Sequence, residues 1–459
     1  MSRTKSITRN GLPACARYLW LALSLFLPWL CTVVQADDLA VLYKLAQQRD
    51  PVVQEAEFTN LATRETLRQA YAELLPTLNL SAGYDLTKQE ILQSDNPLFR
   101  EGSSDFGSYN FTLSLNQPVF HYDAIVRVRQ ARDVVARAGL EYYATKQELV
   151  LRVAELYLGV LSARDDLGFA RAEQSALRLH YRLAQGQQAK GLIPVTDLYD
   201  ARARLAAAEG RQILAKNTLD DALEALREVS GEWEGNLAGI KKDLPLIAPD
   251  PATVEEWTRV GLEQNIGLQV QGFAVAVAAG EVERLKAGHL PKLDLVARLN
   301  RQHTGGDLFG DGRDTEIMNV GLELIMPLYQ GGALRSQVKT ATYFYQRTRK
   351  EEERLGRSVE RQTRSAYLGV ISAIGRVRAQ QQAVAALELA LGGRQKGFRS
   401  GLFSSLDVLD GVRDLFFSRR DYSRARYDYI LNSLRLKQMV GTLSEKDIEA
   451  VNQWMASEG

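Results

Sequence analysis

One seven-residue phrase occurs twice in this chain with a single change. Tyr157-Leu-Gly-Val-Leu-Ser-Ala163 returns 210 residues later as Tyr367-Leu-Gly-Val-Ile-Ser-Ala373, and Gly191-Leu192 with Asp197 and Asp200 returns as Gly401-Leu402 with Asp407 and Asp410. The prolines keep nearly the same offset, Pro118 pairing with Pro327 and Pro76 with Pro291. So long a period excludes a short-repeat solenoid and indicates two copies of one large unit. Such a duplication suits an object with quasi-symmetry about an axis, a ring or a tube.

Residues 1–36 carry Arg3, Lys5, Arg9 and Arg17, then an uncharged stretch, apolar from Leu19 to Leu30, closing on Val34-Gln35-Ala36. This order is that of a secretory signal, with cleavage expected after Ala36; the alternative is a retained anchor, since the uncharged run approaches spanning length. Both cysteines, Cys15 and Cys31, fall inside this segment, so the mature chain is expected to hold no disulfide. Removing the four basic residues from the 57 of the chain leaves 53 against 56 acidic ones. A balance near −3 offers nothing to nucleic acid.

No proline occurs between Pro118 and Pro194 or after Pro327, and these stretches are rich in Ala, Leu, Arg, Gln and Glu. Those residues lose least on entering a helix. Leu149, Val153, Leu156, Val160, Ala163, Leu167 and Ala170 alternate steps of four and three, a coiled-coil seam, and Val359, Thr363, Ala366, Val370, Ala373 and Val377 repeat it. A single helix over 120–187 would reach on the order of 100 Å, and only equally long neighbours would keep it straight.

Each half also holds two segments of period two, near 77–93 and 107–118, then 292–304 and 315–327. Leu78, Leu80, Ala82, Tyr84 and Leu86 alternate with Asn79, Ser81, Gly83, Asp85 and Thr87; Met318, Val320, Leu322, Leu324 and Met326 stand against Asn319, Gly321 and Glu323. These read as strands with one apolar face, joined by polar loops at 94–107 and 304–315. With the long helices occupied by one another, little remains to cover that face. A bilayer would serve, since spanning strands need about 9–11 residues with apolar-out, polar-in alternation. Four strands cannot close a barrel in lipid, whereas three chains would give roughly twelve, enough to leave a lumen.

The expected division is a signal at 1–36, a first repeat at 37–230, a linker or collar at 231–256, a second repeat at 257–441 and a tail at 442–459. The fold class is thus long coiled-coil helices combined with four membrane strands per chain.

The four histidines are scattered without metal-ligand spacing, and no P-loop, dinucleotide fingerprint or nucleophile elbow is present. The loop Gly305–Gly312 does not match an EF-hand. No metal, cofactor or catalytic role is expected. The acid pairs remain. Gly191 and Gly401 end long helices, new helices begin near Thr196 and Ser404, and Ser404-x-x-Asp407 fits a capping box. Asp407 and Asp410 are one turn apart, as are Asp197 and Asp200. Such carboxylates either complement a helix dipole or, at the tips of hairpins gathered about an axis, form acidic rings that select cations.

With these features together, the chain resembles the TolC family of outer-membrane channel-tunnels over essentially all of its mature length. Gly401-Leu-Phe-Ser-Ser-Leu-Asp-Val-Leu-Asp410, Ala425-Arg-Tyr-Asp-Tyr-Ile-Leu431, Gly441-Thr-Leu443 and Pro327-Leu-Tyr-Gln-Gly-Gly332 carry the resemblance. It implies a homotrimer with a twelve-stranded barrel in outer-membrane lipid and a long periplasmic tunnel. It further implies passive export of drugs or secreted proteins, driven by an inner-membrane ABC, RND or MFS transporter through a periplasmic adaptor. Asp407 and Asp410 then fall on the constriction, and Thr196, Asp197 and Arg426 on the links that hold the entrance shut. The resemblance expects Tyr and Arg where Phe398 and Phe403 stand, so Asp197 is expected to lack its partners, leaving closure either weaker or held by apolar contact. Pro118, Pro327, Gly331 and Gly332 mark the junction of barrel and tunnel, as strand terminators or as swivels.

Two other classes compete. A periplasmic coiled-coil scaffold would keep its N-terminus as an anchor, and a cell-wall hydrolase would need its carboxylates across a cleft.

Overall fold

Proline and glycine decide where the long elements start and stop. The structure, a computed structural model, describes residues 38–93, 95, 102–231, 236–241, 243–306 and 310–456. The elements are α1 (Leu39–Arg49), α2 (Pro51–Ala72), β1 (Thr77–Ile91), β2 (Gly102–Phe120), α3 (Tyr122–Ala189), α4 (Val195–Ser230), β3 (Gly239–Ile240) and α5 (Val254–Gln264). There follow α6 (Ile266–Ala287), β4 (Lys292–Thr304), β5 (Arg313–Ile325), α7 (Ala333–Arg399), α8 (Ser405–Met439), α9 (Glu445–Asn452) and β6 (Met455–Ala456). The expected signal at 1–36, with Trp233 and Gly235 of the linker, lies outside the described residues.

The duplication is visible in element lengths. α1 and α5 each have 11 residues, α2 and α6 each 22, α3 and α7 68 and 67, and α4 and α8 36 and 35. Pro76 precedes β1 and Pro291 precedes β4, where a fixed φ favours extended chain over continued helix.

The seam residues pack as their spacing requires. Leu149, Val153, Val160, Ala163 and Leu167 are buried, as are Val359, Thr363, Val370, Ala373 and Val377. Polar clips flank the seam between α3 and α8: Glu155 accepts from Arg435 at 2.7 Å, and Asp165 accepts from the Tyr427 hydroxyl at 2.7 Å and from Ser423.

Part of the buried core is a collar around mid-helix. β3 pairs with β6, and α1, α5 and α9 pack beside the long helices. Here the repeated tyrosines explain themselves. Tyr157 donates its hydroxyl to the Ala238 carbonyl at 2.7 Å, and Tyr367 donates to the Ala252 carbonyl. Each copy of the phrase thereby pins one stretch of the segment that joins the two halves.

The long strands form one antiparallel sheet in the order β1-β2-β4-β5. Its register puts Leu80, Leu113, Leu299 and Met318 on one rung, and Leu78, Leu115, Ala297 and Val320 on another. The opposite face carries Asn79, Ser114, Arg298 and Asn319. Period two makes this separation automatic. The apolar face is bare: Leu80 is 71% and Met318 74% exposed. β2 begins five residues earlier than the alternation indicates, because the polar stretch from Gly102 still pairs through backbone groups with Ile91 and its neighbours. Among the described residues no helix is long and apolar enough to cross a membrane.

Candidate functional site at the hairpin ends

The two long hairpins end alike. Gly191 (φ +71°) and Gly401 (φ +77°) take the left-handed conformation that stops α3 and α7. Leu192 N then donates to the Gln187 carbonyl at 3.0 Å and Leu402 N to the Gly397 carbonyl at 2.8 Å. Both leucine side chains are left exposed at the tips.

α8 opens on the capping box. Ser404 Oγ accepts from Asp407 N at 3.2 Å, while Asp407 Oδ2 accepts from Ser404 N at 2.8 Å and from Ser404 Oγ at 2.6 Å. These hydrogen bonds from Ser404 hold the Asp407 carboxyl below its ordinary range, so it stays ionised. Asp410, one turn on, points elsewhere: it accepts from Arg204 Nη1 of α4 at 2.8 Å and lies 3.5 Å from Arg413 Nη1. The two carboxylates share a helix face but not a partner.

Asp197 is half-buried in the first turn of α4, with Thr196 and Asp200 exposed beside it. Phe398 packs against His180, ring centroids 5.3 Å apart. Phe403 lies over Gly397, where any Cβ would collide with its ring. Phe403 therefore fills the tip of its own hairpin, while Phe398 makes its contact across to α3 of the other hairpin. Arg426 is not brought to Asp197. It sits well up α8, donates to the Lys241 carbonyl of the collar and stacks on Tyr422 at 5.7 Å.

Between sheet and helix, Pro118 lies in β2 at a register shift opposite β4, as its missing N–H requires. Pro327 follows the end of β5. Gly331 (φ +60°) and Gly332 (φ +82°) then turn the chain into α7.

Two residues at the hairpin ends escape sequence reasoning. His180 is 5% exposed with Nε2 2.6 Å from Ser405 Oγ, joining α3 to the start of α8. Arg204 joins α4 to α8. Continuing the first seam beyond Ala170 in its steps of four and three lands on Gln174, Leu177, Tyr181 and Ala184, whereas the buried residues are Glu173, Leu177, His180 and Ala184, so the heptad count passes one position beside the histidine. The buried Glu173 is held by Arg211 at 2.7 Å.

Over residues 42–232 and 259–442 the chain matches the family model described as outer membrane efflux protein. The chain belongs to the outer membrane efflux protein family. Among relatives in this family, outer membrane protein TolC of Vibrio cholerae is 31% identical over 425 residues, covering 92% of this chain and 95% of the relative. The alkaline protease secretion protein AprF of Pseudomonas aeruginosa is 29% identical over 411 residues, 89% of this chain and 85% of its own. Of solved structures, the outer membrane protein VceC of Vibrio cholerae shares the fold with a TM-score of 0.73 at 22% identity, over 88% of this chain and 96% of that one. The open state of the MtrE outer membrane channel of Neisseria gonorrhoeae does so with a TM-score of 0.71 at 17% identity, over 89% and 90%. This efflux-family chain is an outer-membrane export duct.

Proposed function

We propose that three copies of the chain close one twelve-stranded barrel in outer-membrane lipid and continue it as a periplasmic helical tunnel, through which cargo passes without chemistry. The sheet carries this reading: four strands, a bare apolar face, and two edges, β1 and β5, that no described strand pairs. In lipid an open edge leaves backbone donors and acceptors unsatisfied, so β5 of one copy must meet β1 of the next. Two chains would supply about eight strands, whose interior side chains fill, whereas about twelve leave a lumen.

At the far end, Asp407 and Asp410 of three copies form the acidic constriction, with Thr196, Asp197, Phe398 and Phe403 around it. The exposed tips meet a periplasmic adaptor, and an inner-membrane ABC, RND or MFS transporter supplies the driving force. The name of the Pseudomonas relative, an alkaline protease secretion protein, supports protein cargo in type I secretion beside drug efflux.

Single-channel recording of the purified protein in a planar bilayer tests this, comparing wild type with the Asp407→Ala, Asp410→Ala double variant. Discrete cation-selective steps in wild type, with cation preference reduced in the variant, are expected because the fixed negative ring is lost. Folded, heat-modifiable trimers that insert yet never conduct would favour the scaffold reading instead.

A further inference from the structure

The first turns of α8 are tied to the other hairpin at two places that lie 206 and 225 residues apart in sequence. One is the buried His180–Ser405 contact. The other is charged: Arg204 Nη1 to Asp410 Oδ1 at 2.8 Å, with the side chains 29% and 35% exposed. Arg413 stands 3.5 Å from the same oxygen but turns its other nitrogen to Asp414 at 3.1 Å. Arg204 is therefore the cation that bridges from α4. It lies seven residues past Asp197, so both fall on nearly the same face of that helix. With Phe403 turned onto Gly397, Asp197 gains no charged partner from that residue, and the charged link stands one heptad further along.

We propose that Arg204 is the latch of this duct, and that the carboxylate it holds is also part of the filter. This rests on the acidic-constriction reading given above. While α4 and α8 stay together, the guanidinium offsets the charge of Asp410, and the constriction presents mainly the carboxylate of Asp407. Opening the entrance moves one hairpin away from the other and breaks the Arg204–Asp410 pair. Each copy then contributes to the lumen a second carboxylate, with only Arg413 of its own helix, 3.5 Å away, still beside it. Opening and cation preference are thereby coupled through one side chain: the open duct is the more acidic one. The cross-link is half-exposed, so its loss shifts the closed-to-open balance by up to about fivefold per protomer, compounded over the copies.

Planar-bilayer recording of the full assembly tests the latch with Arg204→Gln, Asp407→Asn, and the exchanged pair Arg204→Asp with Asp410→Arg. Heat-modifiable trimer formation by each variant serves as the folding control. Arg204→Gln is expected to raise open probability severalfold and to increase cation preference at low conductance levels. The exchanged pair is expected to return open probability toward wild type, since attraction across the hairpins is restored with its sign reversed, while cation preference falls. If Arg204→Gln gates like wild type while Asp407→Asn lowers cation preference, the latch is overturned and the acidic constriction stands. If Arg204→Gln opens the duct but the exchanged pair does not re-close it, Asp410 is not the group that Arg204 holds. If neither Asp407→Asn nor the exchanged pair changes selectivity, the acidic constriction itself falls.

Discussion

At His180 the imidazole is nearly sealed between α3, α7 and α8, with Ser405 Oγ 2.6 Å from Nε2. Burial pushes its pKa down from the ordinary imidazole range, while the charge of Asp197 on α4 pulls the other way and only in part offsets it. The folded tip therefore favours the neutral ring, and the opened chain takes up a proton first. That contribution to stability is complete above the ordinary value of about 6.5 and is lost as pH falls from there toward the lowered one. A cavity of about 370 Å³ adjoins the ring, lined in part by His180, Gln187 and Arg399. Amide exchange at the hairpin tips, corrected for its intrinsic pH dependence, is expected to accelerate between about pH 7 and pH 5. In His180→Gln that acceleration should vanish; an unchanged profile would remove the histidine from the account. Asp407 acts in the opposite region: its depressed pKa keeps the capping box intact until pH falls below the usual carboxylate range. Sequence reads Asp407 more easily than His180, because a cap is local, three residues from Ser404. A buried polar residue is invisible to hydrophobic periodicity, and the heptad count continued from Ala170 falls on Tyr181, one residue beside His180.

The long helices show which element-level features are written locally and which need the fold. The Leu149 to Ala170 seam is legible because burying one face of a helix requires apolar or small residues every three to four positions. The ends are legible because Gly191 and Gly401 adopt a backbone that other residues reach only with strain. The partner of each face is not. Arg426 carries a charge whose destination depends on where the collar strand crosses α8, and the structure sends it to the Lys241 carbonyl. Gly441 is similar: its φ of +80° is a local matter, but a Cβ there would strike the Gln264 carbonyl at the end of α5. The repeated tyrosines bind the helices to that collar. Tyr157→Phe removes a fully buried donor and leaves the Ala238 carbonyl short of a partner, which should cost about 1–3 kcal/mol. Tyr367→Phe, at a more exposed carbonyl, should cost less. Midpoints of thermal unfolding in detergent check the order, and equal midpoints for the two variants would contradict the collar role assigned to Tyr157.

For the whole molecule the decisive feature is a sheet that cannot exist alone. Alternation of period two was enough to separate its faces in sequence, since a one-residue slip would exchange them. What alternation does not contain is the pairing of β2 with β4, which joins hairpins from the two halves and makes the duplicated chain one continuous third of a barrel under the proposed assembly. The two faces then meet different solvents, and substitution of neighbours on β1 separates them. Leu80 shares its rung with Leu113, Leu299 and Met318 on the apolar face, whereas Ser81 shares its own with Thr112 and Asn300 on the other. An arginine facing lipid near the bilayer centre costs about 2–4 kcal/mol, while the lumen side tolerates charge and changes selectivity instead. Leu80→Arg is therefore expected to lower the yield of heat-resistant, membrane-inserted protein, and Ser81→Arg to insert normally but reduce cation preference in single-channel recordings. Because the two positions are adjacent on one strand, the same helix packing and the same strand propensity apply to both, and only the medium on each face differs. Equal insertion of the two variants would mean that lipid does not cover the apolar rungs, and some other layer would then have to be found for a face that this chain leaves bare.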